Sequence, residues 1–249
     1  QTSHLDSMTD PHTDLDINAA PIGAGNNGRP LFAKFRRTAS TTMWGGYLGA
    51  NYHAFQTSIN RRFKNGFVMR GAYTWSKAIN ETDEDGWAGV SWNHPEVFYR
   101  NRARAGYDRT HVLQMGWVYN LPFGAGQKYA TNGVAKHILG GWQTNGILNI
   151  QSGGNFNVVS GQDRALSGGG TQRPNLVGNP YLDTGRSRDE LLNQYFNPAA
   201  FALPAIGEYG NSGRNTMIGP GRWNLDFALF KGFQLREHMK LHFRWEMFN

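Results

Sequence analysis

Arg70, Arg244 and Glu246 are charges set in the middle of runs that alternate apolar and polar residues. All three fall on the polar side of their runs, where they can pair with each other or meet a solute or a covering segment. Pairing is the favoured reading. Glu81, Asp83, Glu84 and Asp85 form the densest acidic cluster, but the ligand spacing and turn glycine of a calcium loop are missing, which favours a solvated loop. His4 with His12, and His53 with His111, lack the i, i+4 pairing around a glutamate that a zinc helix needs. His53 and His111 read better as strand residues near an interface. Gly23-Ala24-Gly25 and Gly168-Gly169-Gly170 lack the flanking strand, helix and lysine of a phosphate loop. Trp87, Trp92, Phe98, Tyr99 and Arg100 share one polar connection. Exposed loop aromatics stack on sugars or aromatic ligands, or pack the loop on its neighbours; Trp87, Trp92, Tyr99 and Arg100 are the ligand-binding candidates. No catalytic constellation, metal set or cofactor motif emerges, so the chain is not expected to be an enzyme.

Composition narrows the classes further. There is no cysteine, which excludes disulfides, thiolate metal sites and cysteine nucleophiles. The net charge of +7 is spread along the chain, with Arg36-Arg37, Arg61-Arg62 and Arg100 to Arg104 its densest spots, so nucleic-acid binding is not expected. No apolar run approaches the roughly eighteen residues of a membrane helix. From Gln1 onward no basic n-region or apolar h-region is visible, so the expectation is a mature product or a piece of something longer.

The elements carrying these residues are strands. Phe67, Met69, Tyr73 and Trp75 share one face of a run, with Val68, Arg70, Ala72, Thr74 and Ser76 on the other. Similar runs are expected near 52–63, 110–120, 142–151, 223–231 and 240–248, giving six strands with 67–76. Leu113, Met115, Trp117 and Tyr119 share one face of the third; Leu241, Phe243, Trp245 and Met247 share one face of the sixth. Runs of about ten residues exceed the usual five or six of soluble strands and match the nine to eleven of a tilted membrane strand. Residues 1–48 read as irregular, and a short helical turn is expected around Val134 to Leu139.

Connection lengths orient the strands. Lys64-Asn65-Gly66 is a hairpin signal, and the other odd–even strand pairs are also joined by short or moderate turns. The 78–108 and 152–222 connections are long. Short turns on one side and long loops on the other are how bacterial outer-membrane barrels are built, with the long loops outside. Periplasmic short turns put Phe63, Phe67, Tyr119, Trp142 and Phe243 near one interface, and Trp75, Trp223 and Trp245 near the other.

Several motifs recur in an order that resembles a known family. They are Asn51-Tyr52-His53-Ala54-Phe55-Gln56, Arg61-Arg62-Phe63, Ala72-Tyr73-Thr74-Trp75-Ser76-Lys77 and Tyr107-Asp108-Arg109-Thr110-His111. Leu121-Pro122-Phe123-Gly124, Gly140-Gly141-Trp142-Gln143, Phe196-Asn197-Pro198-Ala199-Ala200-Phe201, Gly219-Pro220-Gly221 and Phe243-Arg244-Trp245-Glu246-Met247-Phe248-Asn249 follow. Over about residues 30–249 the chain resembles the C-terminal barrel region of TonB-dependent receptor-like outer-membrane proteins, the Oar-like branch in particular. The resemblance implies a barrel of about 22 strands with a plugged lumen, ligand capture by external loops, and plug rearrangement powered by the TonB complex. Plug and TonB box are not in this chain, so an internal fragment is expected.

The sequence thus leads to an all-β, antiparallel segment of a larger transmembrane barrel in the Gram-negative outer membrane. It comprises an irregular region at 1–48 and a partial barrel at 49–249. Its expected partners are the lipid bilayer, a plug domain of the same full-length protein and the TonB complex. A passive porin or adhesin barrel, and a soluble secreted all-β binding module, stand as the alternatives. The ligand is not legible.

Overall fold

The computed structural model describes residues 2–10, 13–45, 48–64, 66–83, 94, 96–167, 172–183, 185–236 and 238–249. Seven strands carry the fold: β1 (Thr2–Asp10), β2 (Leu48–Lys64), β3 (Phe67–Asn80), β4 (His111–Asn120), β5 (Trp142–Gln151), β6 (Arg222–Arg236) and β7 (Met239–Met247). Each pairs antiparallel with its predecessor. The sheet is a meander that does not close, and β1 and β7 are its edges. Among the described residues no helix is long and apolar enough to cross a membrane.

Ladder register decides which side chains share a face. Thr57, Tyr73, Leu113, Ile150 and Trp223 form one continuous row, and Arg61, Met69, Trp117, Gly146, Phe227 and Met247 another. Most large apolar residues of β2 to β7 therefore collect on one side of the sheet, with Ile147 and Phe230 among the exceptions. That side is uncovered: Phe55, Ile59, Trp75, Leu241 and Phe243 are exposed, and Trp223 is 64% exposed. The chain exposes 15752 Å², where a compact monomer of its 27.9 kDa would expose about 11,000 Å². In water such a face would aggregate; against hydrocarbon it is the natural outer surface. β4 and β5, of 10 residues each, rise about 33 Å along the strand. Tilted by about 45°, they match an apolar band about 25 Å tall.

The interfaces are marked by ring contacts. Phe67 meets Tyr119 edge-on at 5.5 Å, and Trp142 meets Phe243 at 6.4 Å. At the opposite end Tyr73 stacks on His111, with Tyr73 Oη 2.8 Å from His111 Nδ1. Trp245 departs from its expected place. It pairs with Leu229, in the row of Phe67 and Tyr119 rather than that of Trp223. The reason is that β6 and β7 overrun their neighbours at the turn end, reaching Arg236 and Met239. The side chain of Phe63 lies outside the described residues.

The main path of the sheet holds one strand more than the six read from alternation, and a two-residue strand, Ala103–Arg104, pairs with β3 off that path. Residues 1–48 contain β1, which pairs along β2 from Thr2 opposite Phe55 to Asp10 opposite Leu48. Its residues, TSHLDSMTD, carry only Leu5 and Met8 as large apolar side chains. Their spacing of three breaks the period of two, so no alternation marks the strand. Two further short strands, Thr13–Asp16 and Thr42–Gly45, pair with each other in the same stretch.

Three long connections, 11–47, 81–110 and 152–221, leave from one end of the sheet, and three shorter ones, 65–66, 121–141 and 237–238, from the other. Most buried side chains are not in the sheet but in the long connections: Asn18, Asn101, Ala165, Pro204, Ser212, Arg214 and Met217 are all almost fully enclosed. Those connections fold together into a cap. Gly23 and Gly25 donate to Ala165 O and Leu166 O, both at 2.7 Å, tying the first connection to the third. His94 Nε2 donates to Ala20 O at 2.9 Å, tying the second to the first.

Candidate functional site

The face opposite the aromatic one carries the polar residues of the alternating strands. Its central rows are Asn60, Arg70, Gly116, Ile147 and Asp226, then Val68, Val118, Asn145, Ala228 and Glu246. Because Gly116 and Ala228 are small, these rows leave a hollow of about 590 Å³. Arg70, Asn145, Asp226, Phe230, Arg244 and Glu246 all line it. The structure thus brings the three charges singled out by sequence to one surface. Arg244 and Glu246 form an ion pair through Nη2 and Oε1, and Arg244 also lies 5.2 Å over the Phe230 ring. Its guanidinium side chain is 60% exposed, so the pair is worth at most about 1 kcal/mol and serves to orient rather than to stabilise.

Arg70 stands apart, three strands from Asp226, with no hydrogen bond or ion pair among the described residues. The Oδ1 of Asn145 is buried and unpartnered among the described residues. The hollow therefore offers an exposed cation at one side, an unused acceptor in the middle and a paired guanidinium and carboxylate at the other. This arrangement can hold polar or zwitterionic groups; it has no nucleophile paired to a base. Among the described residues no group of three or more His, Cys, Asp or Glu is placed to hold a metal ion.

A second polar surface lies at the loop end of the same face, where Gln114, Asn149, Gln151, Arg222 and Asn224 line a hollow of about 490 Å³. With the Gln151 amide turned to suit its neighbours, its oxygen accepts from Arg222 Nη2 at 3.1 Å.

Above these hollows the cap is held by a hub that sequence reading missed. Arg214, 4% exposed, uses its whole guanidinium: Nε donates to Asn101 O at 2.8 Å, Nη1 to Asp83 Oδ2 at 2.8 Å, and Nη2 to Asn80 O at 2.7 Å and to the Asn80 side-chain oxygen. Asn215 Nδ2 reaches the same Asp83 oxygen and Arg104 O, both at 2.9 Å. Asp83 Oδ1 accepts the Gly106 N–H at 2.6 Å. Burial by itself would raise the Asp83 carboxyl. The Gly106 N–H, the Asn215 amide, the Arg214 charge and the Asn80 amide together outweigh it and hold the group below the ordinary 3.8. Arg173 lies in the same buried region, and burial together with the charge of Arg214 pushes it down to about 10.

The acidic cluster is not simply the solvated loop its spacing suggests: the Asp83 carboxylate is a structural acceptor for two connections. Glu81 is likewise engaged, its Oε2 accepting the Gly49 N–H at 2.7 Å. Glu84 and Asp85 lie outside the described residues.

Of the loop residues proposed as ligand contacts, Trp87 and Trp92 lie outside the described residues. Tyr99 is 67% exposed, with the Arg100 guanidinium 5.8 Å from its ring. Arg100 reaches across to the third connection, donating from Nη1 to Gly210 O at 3.1 Å. Tyr99 is thus a ring presented to solvent on a braced loop, whereas Arg100 is part of the bracing.

An uncovered aromatic face of membrane-spanning height, a polar face behind it, and long loops gathered at one end are the attributes of a bacterial barrel wall. Comparison of the sequence with known proteins agrees: the description of an outer membrane beta barrel domain fits residues 2–249. No curated protein and no solved structure matches the chain. With a family match over essentially its whole length, the chain belongs to the outer membrane beta barrel domain family and resides in the outer membrane of a Gram-negative bacterium.

Proposed function

We propose that this segment is wall and vestibule of a TonB-dependent receptor-like transporter, in which external loops capture a ligand and a plug inside the lumen yields to energy supplied by TonB. The observation that carries the reading is the cap. Three long connections are locked to one another by Arg214, Asp83 and His94, as a receptor vestibule requires and a bare pore does not. A lumen face with an exposed cation, a paired guanidinium and an unused amide acceptor suits a surface that packs against a movable plug. The ordered run of motifs from Asn51 to Asn249 supports the same assignment. The segment contributes binding surface and no catalysis.

The full-length protein in planar bilayers distinguishes this from a passive pore. A plugged receptor gives a silent membrane, and in cells it cross-links to TonB through its periplasmic side. Steady open-channel conductance with no TonB adduct would identify a porin and overturn the proposal.

A further inference from the structure

The 121–141 connection at the turn end carries a short helix, Gly133–Leu139, that turns its greasy side outward. On a helical wheel Val134, Ala135, Ile138 and Leu139 cover one arc, and Gly133, Lys136 and His137 the other. Yet Val134 is 72% exposed, Ile138 60% and Leu139 46%. A seven-residue helix in water would not keep such a face uncovered.

Two residues of the lipid-facing surface tie this helix to the sheet. Lys231 sits on the aromatic face of β6 between Leu229 and Phe233, 4% exposed. Its Nζ donates to His137 O at 2.9 Å and to Ile138 O, satisfying two carbonyls of the helix C-terminus. The same ammonium lies 4.8 Å from the centroids of both the Trp142 and the Phe233 rings. Trp142 Nε1 donates to Ile138 O at 3.0 Å. The exposed arc of the helix is therefore continuous with the surface that faces hydrocarbon, at the depth where Trp142 and Phe243 mark the interface.

We infer that the Gly133–Leu139 helix is an interfacial foot that lies in the phospholipid headgroup layer at the turn end of the barrel, its apolar arc dipping below the phosphates. The charge of the connection fits that occupant. Residues 121–141 contain Lys128, Lys136 and His137 and no Asp or Glu, so the connection, with Lys136 on the helix's polar arc, carries positive charge that suits lipid phosphates. Lys231 is the pin: it lies on the lipid face but near the interface, where the cost of a charge is small.

These 249 residues contain no cysteine, so with any cysteine elsewhere in the full-length protein replaced by serine, single labels report cleanly in the protein folded into phosphatidylethanolamine–phosphatidylglycerol vesicles. Nitroxide labels are placed one at a time through Ile138→Cys, Lys136→Cys and Thr131→Cys, with heat-modifiable gel migration confirming that each variant folds. The expected result is that the label at 138 collides more with oxygen than with a water-soluble nickel chelate, and that the ratio reverses at 136 and 131. In a second arm, Lys128→Glu with Lys136→Glu shifts the label at 138 toward the nickel chelate. Equal nickel access at 138 and 136 would overturn the inference. So would protection of 138 that arises only when soluble periplasmic proteins are added, which would make the arc a protein-docking face.

Discussion

Arg214 Nη1 lies 2.8 Å from Asp83 Oδ2, joining positions 131 residues apart in the chain. One belongs to the connection that follows β3 and the other to the connection that precedes β6. The same guanidinium holds Asn101 O and Asn80 O, so a single side chain sets how the second and third connections meet.

Replacing it should loosen the cap and leave the sheet alone. Arg214→Met removes every donor and strands two buried carbonyls. With Asp83 partly exposed, a local cost of about 2–4 kcal/mol is expected. Asp83→Asn keeps the shape and loses the charge, so it should cost less. Amide hydrogen exchange of the protein in bilayers reads this directly: loop amides at 97–108 and 209–218 speed up, while those of β3 to β6 do not. Unchanged loop exchange in Arg214→Met would mean that the hub is incidental.

The pH dependence of the cap follows from the same carboxyl. Its folded-state value lies below the ordinary 3.8. A lowered carboxyl contributes stability that is complete above the unfolded value and is lost as pH falls through the folded one. Loop protection should therefore be flat from neutral pH to about pH 4 and decline only below that. In Asp83→Asn this acid-side decline should vanish. A wild-type decline already complete above pH 5 would contradict the assignment.

What the sequence disclosed and what it hid separate along physical lines. A strand repeats every two residues, so Phe67, Met69, Tyr73 and Trp75 declare a face without knowledge of any neighbour. Arg244 and Glu246, two apart on one strand, declare that they can meet. The helix at Gly133–Leu139 shows in its local spacing, though nothing local says that Lys231 would cap it. Arg214 is invisible in the sequence because its partners, Asn80 at the end of β3 and Asp83 and Asn101 in the connection beyond it, lie more than a hundred residues away. Asp83 is hidden for the same reason: a carboxylate in a row of acids looks solvated until the chain returns with Arg214 and Asn215 to pair it. β1 escaped because its only large apolar residues, Leu5 and Met8, are out of phase with a strand.

Two adjacent residues of β5 test the assignment of the faces. Leu148 lies in the row of Ile59, Gly71, Met115 and Leu225 on the aromatic side, whereas Ile147 faces the polar side beside Gly116 and Asp226. Leu148→Arg puts a charge against hydrocarbon near mid-span and should cost about 2–4 kcal/mol. Ile147→Arg, at the same depth, should cost close to nothing. Reversible urea unfolding of the protein in phosphatidylcholine bilayers measures both. Equal costs would dispose of the two-faced sheet.

Gly146 and Trp117 form a cross-strand pair on the aromatic face, and the indole lies across the glycine so closely that a Cβ at 146 would fall inside the ring's van der Waals envelope. The glycine exists to receive the ring, an arrangement by which sheets cover a bare backbone with an aromatic neighbour. Gly146→Val should force Trp117 off its site and destabilise the barrel by about 1–3 kcal/mol. Because the damage is the clash itself, Trp117→Ala should relieve it. The double variant should then be less destabilised than the two single costs added together, a coupling that only contacting residues show. Gly116 is the control. It is also a central-strand glycine, but a Cβ there meets Gly146 O at an ordinary 3.7 Å, so Gly116→Ala should be tolerated. Strictly additive costs for Gly146→Val and Trp117→Ala in bilayer unfolding would show that the ring does not depend on the glycine.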